Sequence, residues 1–330
     1  KGKMHGYGAT IGGDIGSFHH NLLAHCYGRN WSLGGGLDGN GIYTGRLDIR
    51  NNVVYNWGKR TTDGGAHEVN FVNNYYKPGE ATLFFHALKA QHERYGGGTQ
   101  QYYFKGNVMP GHFDEQSQEK GRMIEGEANY ETFVDSPFFP SHVSTQSAHE
   151  AYKQVLSDVG SNQPIMDGHD KRIIQETISG SHQFQGSISG LPGIPDTQED
   201  VGGWENYPEV HREDVWDSDH DGLPDWWEVL HKLDPESEIG DFSDANADKD
   251  LDGFTNLDQY LDWMGKPHLT VRLGEEANID LTQLFLGYTE QPYCVIIGGG
   301  QGGIALAARL KRLDVPTLII DQHERPGDAW

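Results

Sequence analysis

Residues 1–140 carry their apolar positions in short runs with no long helical period, and Gly, Asn, Tyr and Val are abundant among them. One unit recurs, an Asn followed by two apolar residues: Asn21-Leu22-Leu23, Asn52-Val53-Val54, Asn74-Tyr75-Tyr76 and Asn107-Val108-Met109. The Asn spacings are 31, 22 and 33, and the copies follow apolar or β-branched runs such as 47–49 and 69–72. Irregular spacing around one strand-turn unit predicts a parallel β-helix, each coil adding short strands. Stacked Asn side chains would then bond to one another at the turns. An antiparallel sandwich with Asn-rich turns is the alternative.

The pattern changes after residue 140. Ala148, Tyr152, Val155 and Leu156 sit at helical spacing. A Gly/Pro/Gln-rich stretch to Gly203 reads as extended chain wrapping a surface, and residues 204–265 are acidic and Trp-rich. Leu269, Val271, Leu273, Ile279 and Leu281 alternate as in the first hairpin of a small β-domain, which breaks off near Tyr293. The expected domains are 1–203, a β-helix with a wrapping segment; 204–266, a metal-loop segment; 267–291, a partial β-domain; and 292–330, a β-α-β unit.

Composition narrows the function. With 25 basic and 49 acidic residues, the formal charge of −24 argues against nucleic acid and against anionic lipid as partners. No apolar stretch approaches the roughly 20 residues of a membrane span. Cys26 and Cys294 lie too far apart in sequence to suggest a disulfide framework. The 330-residue chain opens on Lys1 inside glycine-rich sequence and closes on Trp330 just after a turn, so it reads as a fragment; separately, a monomer is expected.

Two loops carry metal chemistry. Asp217, Asp219, Asp221, Asp225 and Glu228 occupy positions 1, 3, 5, 9 and 12 of a loop with Gly222 at position 6 and the Leu223 carbonyl at 7. Calcium takes several oxygens in a flexible cage, and Gly permits the sharp turn. The second loop offers Asp248, Asp250, Asp252, the Phe254 carbonyl and Asn256, but Gln259 stands where the bidentate Glu is expected. Weaker binding is expected there, with Asp258, Asp244 or Asn246 compensating. Both resemble thrombospondin type 3 or dockerin-like calcium repeats, in which calcium is structural.

The segments Ser17–Asn30, Asp48–Gly58 and Val69–Gly79 resemble, in order, the pectate lyase family of right-handed β-helices (polysaccharide lyase family 1), over roughly residues 1–290. The resemblance implies a secreted enzyme that cleaves an acidic plant cell-wall polysaccharide by calcium-dependent β-elimination. Arg29 matches the family's base and Lys3, with Lys1 as rival, the group that grips the substrate carboxylate. The family's Arg-Asn-Pro-Arg reads Arg29-Asn30-Trp31-Ser32 here, so Trp31 is expected to stack on a sugar, and Arg46 is a further substrate-binding candidate. The carboxylates that hold the family's catalytic calcium are expected before residue 1, with only Asp14 nearby and unassigned. The chain as it stands is therefore expected to lack that site, which leaves an inactive, binding-only chain as an alternative. His19, His20 and His25 read as stacked, hydrogen-bonded rings in the coils, and Gly64–Glu68 as a turn with groove-edge residues.

Near the C-terminus, an apolar strand at 293–297 leads into Gly298, Gly300 and Gly303 of a G-x-G-x-x-G motif, then a helical period, then a strand at 317–320 ending in Asp321. This order is that of a dinucleotide-binding unit, and residues 324–330 resemble the FAD-binding start of flavin-dependent monooxygenases. One β-α-β unit cannot build the whole sheet and second nucleotide site, so FAD is expected not to be held. Three readings follow: a polysaccharide lyase fragment, a flavin monooxygenase start in a fusion, or a non-catalytic polysaccharide-binding β-helix.

Overall fold

The computed structural model describes residues 6–93, 95–161, 166–206 and 212–265, the strands Cys294–Ile297 and Thr317–Ile320, and positions 306 and 309. Among them the architecture is mainly parallel β with four α-helices. Three sheets draw strands from successive passes of the chain. The first joins β1 (Thr10–Ile11), β4 (Ser32–Gly34), β7 (Thr62–Gly65), β10 (Leu88–Gln91) and β12 (Arg122–Glu125). The second joins β2 (Asp14–His19), β5 (Arg46–Arg50), β8 (Glu68–Val72), β11 (Gln101–Lys105) and β13 (Phe133–Val134). The third joins β3 (Leu22–Ala24), β6 (Val53–Tyr55) and β9 (Tyr75–Lys77). Every strand-to-strand ladder among the described residues is parallel, which removes the antiparallel sandwich.

Strand alternation sorts the side chains. Ile11, Leu33 and Ala90 of the first sheet and Leu47, Ile49, Val69, Phe71, Tyr102 and Phe104 of the second point into one apolar core. Phe71 and Phe104 stack in it with centroids 5.4 Å apart. The four repeated Asn residues form a column at the turn between the second and third sheets. Asn21 Nδ2 donates to Asn52 Oδ1 at 2.9 Å, Asn52 to Asn74 at 3.0 Å, and Asn74 to Asn107 at 3.0 Å. The residue before each rung takes a left-handed conformation: His20, Asn51, Asn73 and Gly106, with φ of 54°, 54°, 53° and 69°. Asn and Gly tolerate that region best, which explains the Asn-Asn pairs.

Gly64 and Gly65 lie inside β7, which corrects their expected place in a turn. Gly64 has φ of +132°, and a Cβ on Gly65 would collide with the Gln100 side chain. The segment after residue 140 is also more structured than its composition suggests. Helix α1 (Ala148–Asp158) forms as expected, closed by a Ser147–Glu150 capping box. Helix α2 (Gly168–Ser179) replaces part of the expected extended chain. Asp167 caps its start, and Gly180 with φ of 71° ends it. Lys77 Nζ donates to the Thr177 and Ile178 carbonyls, both at 2.8 Å, tying the end of α2 to β9.

Helices α3 (Asp225–His231) and α4 (Asn256–Gly265) follow in the acidic segment around a small core of Leu223, Trp227, Ala245 and Tyr260. Strands β14 (Cys294–Ile297) and β15 (Thr317–Ile320) pair in parallel where the sequence predicts the two strands of the nucleotide-binding unit. Gly298, Gly300, Gly303 and Asp321 lie outside the described residues, as do Lys1, Lys3 and the alternating stretch at 268–290. Among the described residues no helix is long and apolar enough to cross a membrane.

Candidate functional site

The two acidic loops fold alike. His220 and Leu251, at position 4, have φ of 60° and 59°, and Gly222 and Gly253, at position 6, have φ of 98° and 96°. Asp217 accepts from the Gly222 amide at 3.3 Å as Asp248 does from Gly253 at 3.0 Å. Asp221 accepts from Leu223 and Asp252 from Phe254, both at 2.8 Å. These bonds converge Asp217, Asp219 and Asp221 into one cluster, and Asp248, Asp250 and Asp252 into another, each able to hold a metal ion.

Burial separates the loops. Asp219 and Asp221 are buried, whereas Asp250 and Asp252 are exposed. Glu228, on the first turn of α3, is completely buried, and neither carboxylate oxygen has a hydrogen-bond partner. Asp217 Oδ1 and Asp221 Oδ2 are likewise orphaned. Burial, with the charges of Asp219, Asp221, Asp225 and Asp217, pushes the Glu228 carboxyl up to about 8. Buried, unpartnered carboxylate oxygens crowded together are what a cation would satisfy, so the donor set fits calcium. In the second loop the Gln259 amide lies 3.5 Å from Asp250 and brings no charge.

Two expected ligands are engaged otherwise. Both oxygens of Asp225 accept from Ser218, its amide at 2.8 Å and its hydroxyl at 2.7 Å. Asn256 donates its side-chain amide to the Asp244 carbonyl at 2.7 Å, anchoring the start of α4. The expected compensators are occupied too: Asp258 by Thr255 and Asp244 by the Asp234 amide. Sequence reasoning missed Ser237, whose hydroxyl donates to Asp219 at 2.8 Å and orients it. No spacing marks that contact.

The outward face of the first sheet holds the second candidate site. Its register aligns Thr10, Ser32, Asp63, Lys89 and Met123 in one row. Arg60, just before β7, grips Asp63 through two bonds of 2.7 and 2.6 Å, and Lys89 pairs with Glu125 at 2.5 Å. Arg29, before β4, has φ of 57°. Its guanidinium lies over the Tyr7 ring at 4.9 Å and donates to the Thr10 hydroxyl at 3.3 Å. No carboxylate among the described residues pairs with it. Tyr7 and Arg60 are additions that the sequence did not single out.

The other substrate candidates fare differently. Trp31 is 8 % exposed and belongs to the interior core beside Phe18, which corrects its expected sugar-stacking role. Arg46 lies on the second sheet, bidentate to Asp14 at 2.6 and 3.1 Å, so the structure does not place it on the face of Arg29. His19 bonds to His20, and His25 sits between Asn56 and Glu176, as hydrogen-bonded coil residues do. Comparison of the chain with known protein families and with curated proteins finds no match.

Proposed function

We propose that this chain is a pectate-lyase-like, right-handed parallel β-helix that engages an acidic polysaccharide outside the cell, with a calcium-binding segment appended. Supporting the helical winding, each of the three parallel sheets takes one strand per pass in strict rotation over the first three passes, and an Asn column marks the same turn in four passes.

The observation that carries the polysaccharide reading is the state of Arg29. On a face where Arg60 and Lys89 are neutralised by Asp63 and Glu125, Arg29 alone of the three has no carboxylate. Its guanidinium lies over the Tyr7 ring and bonds to the Thr10 hydroxyl, so less side-chain freedom remains to be lost on binding. A uronate carboxylate supplies the missing charge and accepts two parallel N–H bonds. Holding that carboxylate also acidifies the sugar's C5 proton, whose loss expels the C4 glycosidic oxygen and leaves a C4–C5 double bond. A guanidinium holds its own proton to above roughly pH 12, so Arg29 takes the C5 proton only in its neutral form; charged, it holds the carboxylate while water takes the C5 proton and protonates the departing O4.

The family's catalytic calcium does not fit this face. Both acidic trios among the described residues lie in the 217–252 loops. Polygalacturonate affinity chromatography, with ultraviolet absorbance of the unsaturated product, tests the reading. The wild-type chain is expected to be retained and Arg29→Ala to elute freely, with any absorbance rise lost in the variant. A folded wild-type chain that neither binds nor cleaves the polymer refutes it.

A further inference from the structure

A cavity of about 430 Å³ between the end of β2, the 142–146 segment and the end of α1 gathers three imidazoles: His19, His20 and His142. The left-handed turn at His20 brings two successive rings edge to face, centroids 5.0 Å apart. Their Nδ1 atoms lie 2.8 Å from each other. On its far side, His20 Nε2 lies 2.8 Å from Gln146 Oε1. An amide oxygen only accepts, so Nε2 carries the proton and the neutral ring turns the bare Nδ1 lone pair toward His19.

Gln146 is itself clamped. Its amide donates to Asn51 Oδ1 at 3.1 Å, and its carbonyl accepts from Asn51 at 2.9 Å and Asn73 at 2.7 Å. Asn51 and Asn73, the left-handed residues before two of the rungs, therefore hold the Gln146 backbone beside His20. An acceptor on the remote ring nitrogen, carried on an anchored backbone, is the arrangement that prepares a histidine for metal. Without metal, one proton on His19 Nδ1 bridges the two nitrogens. At a zinc–nitrogen distance of about 2.0–2.1 Å, two ligand nitrogens stand roughly 2.9–3.4 Å apart, close to the spacing already present.

We propose that this cavity binds a divalent transition-metal ion of the zinc type through His19 Nδ1 and His20 Nδ1. His142 turns in from the facing segment as third ligand, and water completes the shell. Binding moves the His19 proton from Nδ1 to Nε2, so neither ring changes charge. Imidazole ligands favour zinc, nickel, copper and cobalt, whereas the aspartate loops favour calcium, so the two kinds of site are separable by ion.

The test is cobalt(II) titration of the tag-free full chain with calcium in excess, followed by its visible ligand-field band and by zinc competition. One equivalent is expected to bind with a nitrogen-ligand spectrum. His20→Asn suits the left-handed turn as Asn51 and Asn73 do, so the chain should fold, and it should weaken binding roughly tenfold or more. His142→Ala should weaken it likewise, and His112→Ala, an exposed histidine outside the cavity, should leave it unchanged. A folded wild-type chain with no such band, or affinity unchanged in His20→Asn or in His142→Ala, overturns the assignment. In the first two cases the close nitrogens are only a hydrogen bond.

Discussion

Glu228 is a carboxyl group that the fold encloses completely while giving its oxygens nothing to bond to. Burial first, and the neighbouring aspartates second, hold its folded value at about 8, against an ordinary carboxyl value near ~4.3. Between those two values the calcium-free native state keeps a proton that the unfolded chain has released. Stability without calcium is therefore expected to fall as pH rises through that window. Calcium binds the ionised form, so saturating calcium should remove the decline. Glu228→Gln should flatten the calcium-free profile and weaken calcium binding roughly tenfold or more, since it removes a charged ligand. Thermal melts across pH with and without calcium, plus calorimetric calcium titration, check both. A calcium-free profile that rises over the window would show that Glu228 is ionised and paired.

At the scale of elements, the Asn column makes a sharp prediction. Asn74 accepts from the Asn52 amide and side chain, both at 3.0 Å, and donates to the Ile49 carbonyl and to Asn107. Asn74→Ala strands several buried groups at once and should cost about 3 kcal/mol in urea unfolding. Asn21, half-buried at the end of the column, should cost only about 1 kcal/mol, because the Asn52 oxygen still accepts from the residue 21 amide. Equal losses at the two positions would mean the rungs act independently of burial. The column was legible because its chemistry repeats along the chain. Helix α2 was not, because Gly and Pro crowd its flanks, and only the Asp167 cap and the buried Ile174 betray it. Trp31 was misplaced for a related reason. Whether a ring points in or out depends on strand parity, and a shift of one residue reverses it. The acidic trios were readable because their members are local in sequence, but the bonds from Ser218 to Asp225 were not, since spacing does not show which donor an acidic side chain meets. That Arg29 meets no carboxylate among the described residues was not legible, because Asp63 and Glu125, which take Arg60 and Lys89, lie far along the chain.

At the scale of the whole molecule, stability is unevenly distributed. The three-sheet region is built on a cluster of twenty buried apolar residues, whereas the acidic segment has four. Residues 212–265 hold 17 acidic and three basic residues, a net charge of −14 at neutral pH. Self-repulsion of that size opposes compaction, and the buried carboxylates of Asp219 and Asp221 add a desolvation cost. Calcium in the first loop would offset both terms, and an ion that binds only the folded loop would turn its binding energy into folding energy. Chelation is therefore expected to unfold this segment selectively. The fluorescence of Trp226, Trp227 and Trp263, which pack with Tyr260 around α3 and α4, should shift to the red, and limited proteolysis should cut within 212–265. The three-sheet region should keep its own melting transition within a few degrees. High salt at fixed chelator should restore part of the Trp signal, because screening at about 1 M shortens the reach of the repulsion to roughly 3 Å. If the Trp emission and the proteolytic pattern ignore the chelator, the four-residue core is sufficient and the loops hold no structural ion. If salt alone restores the segment completely, net charge rather than loop coordination is what calcium relieves.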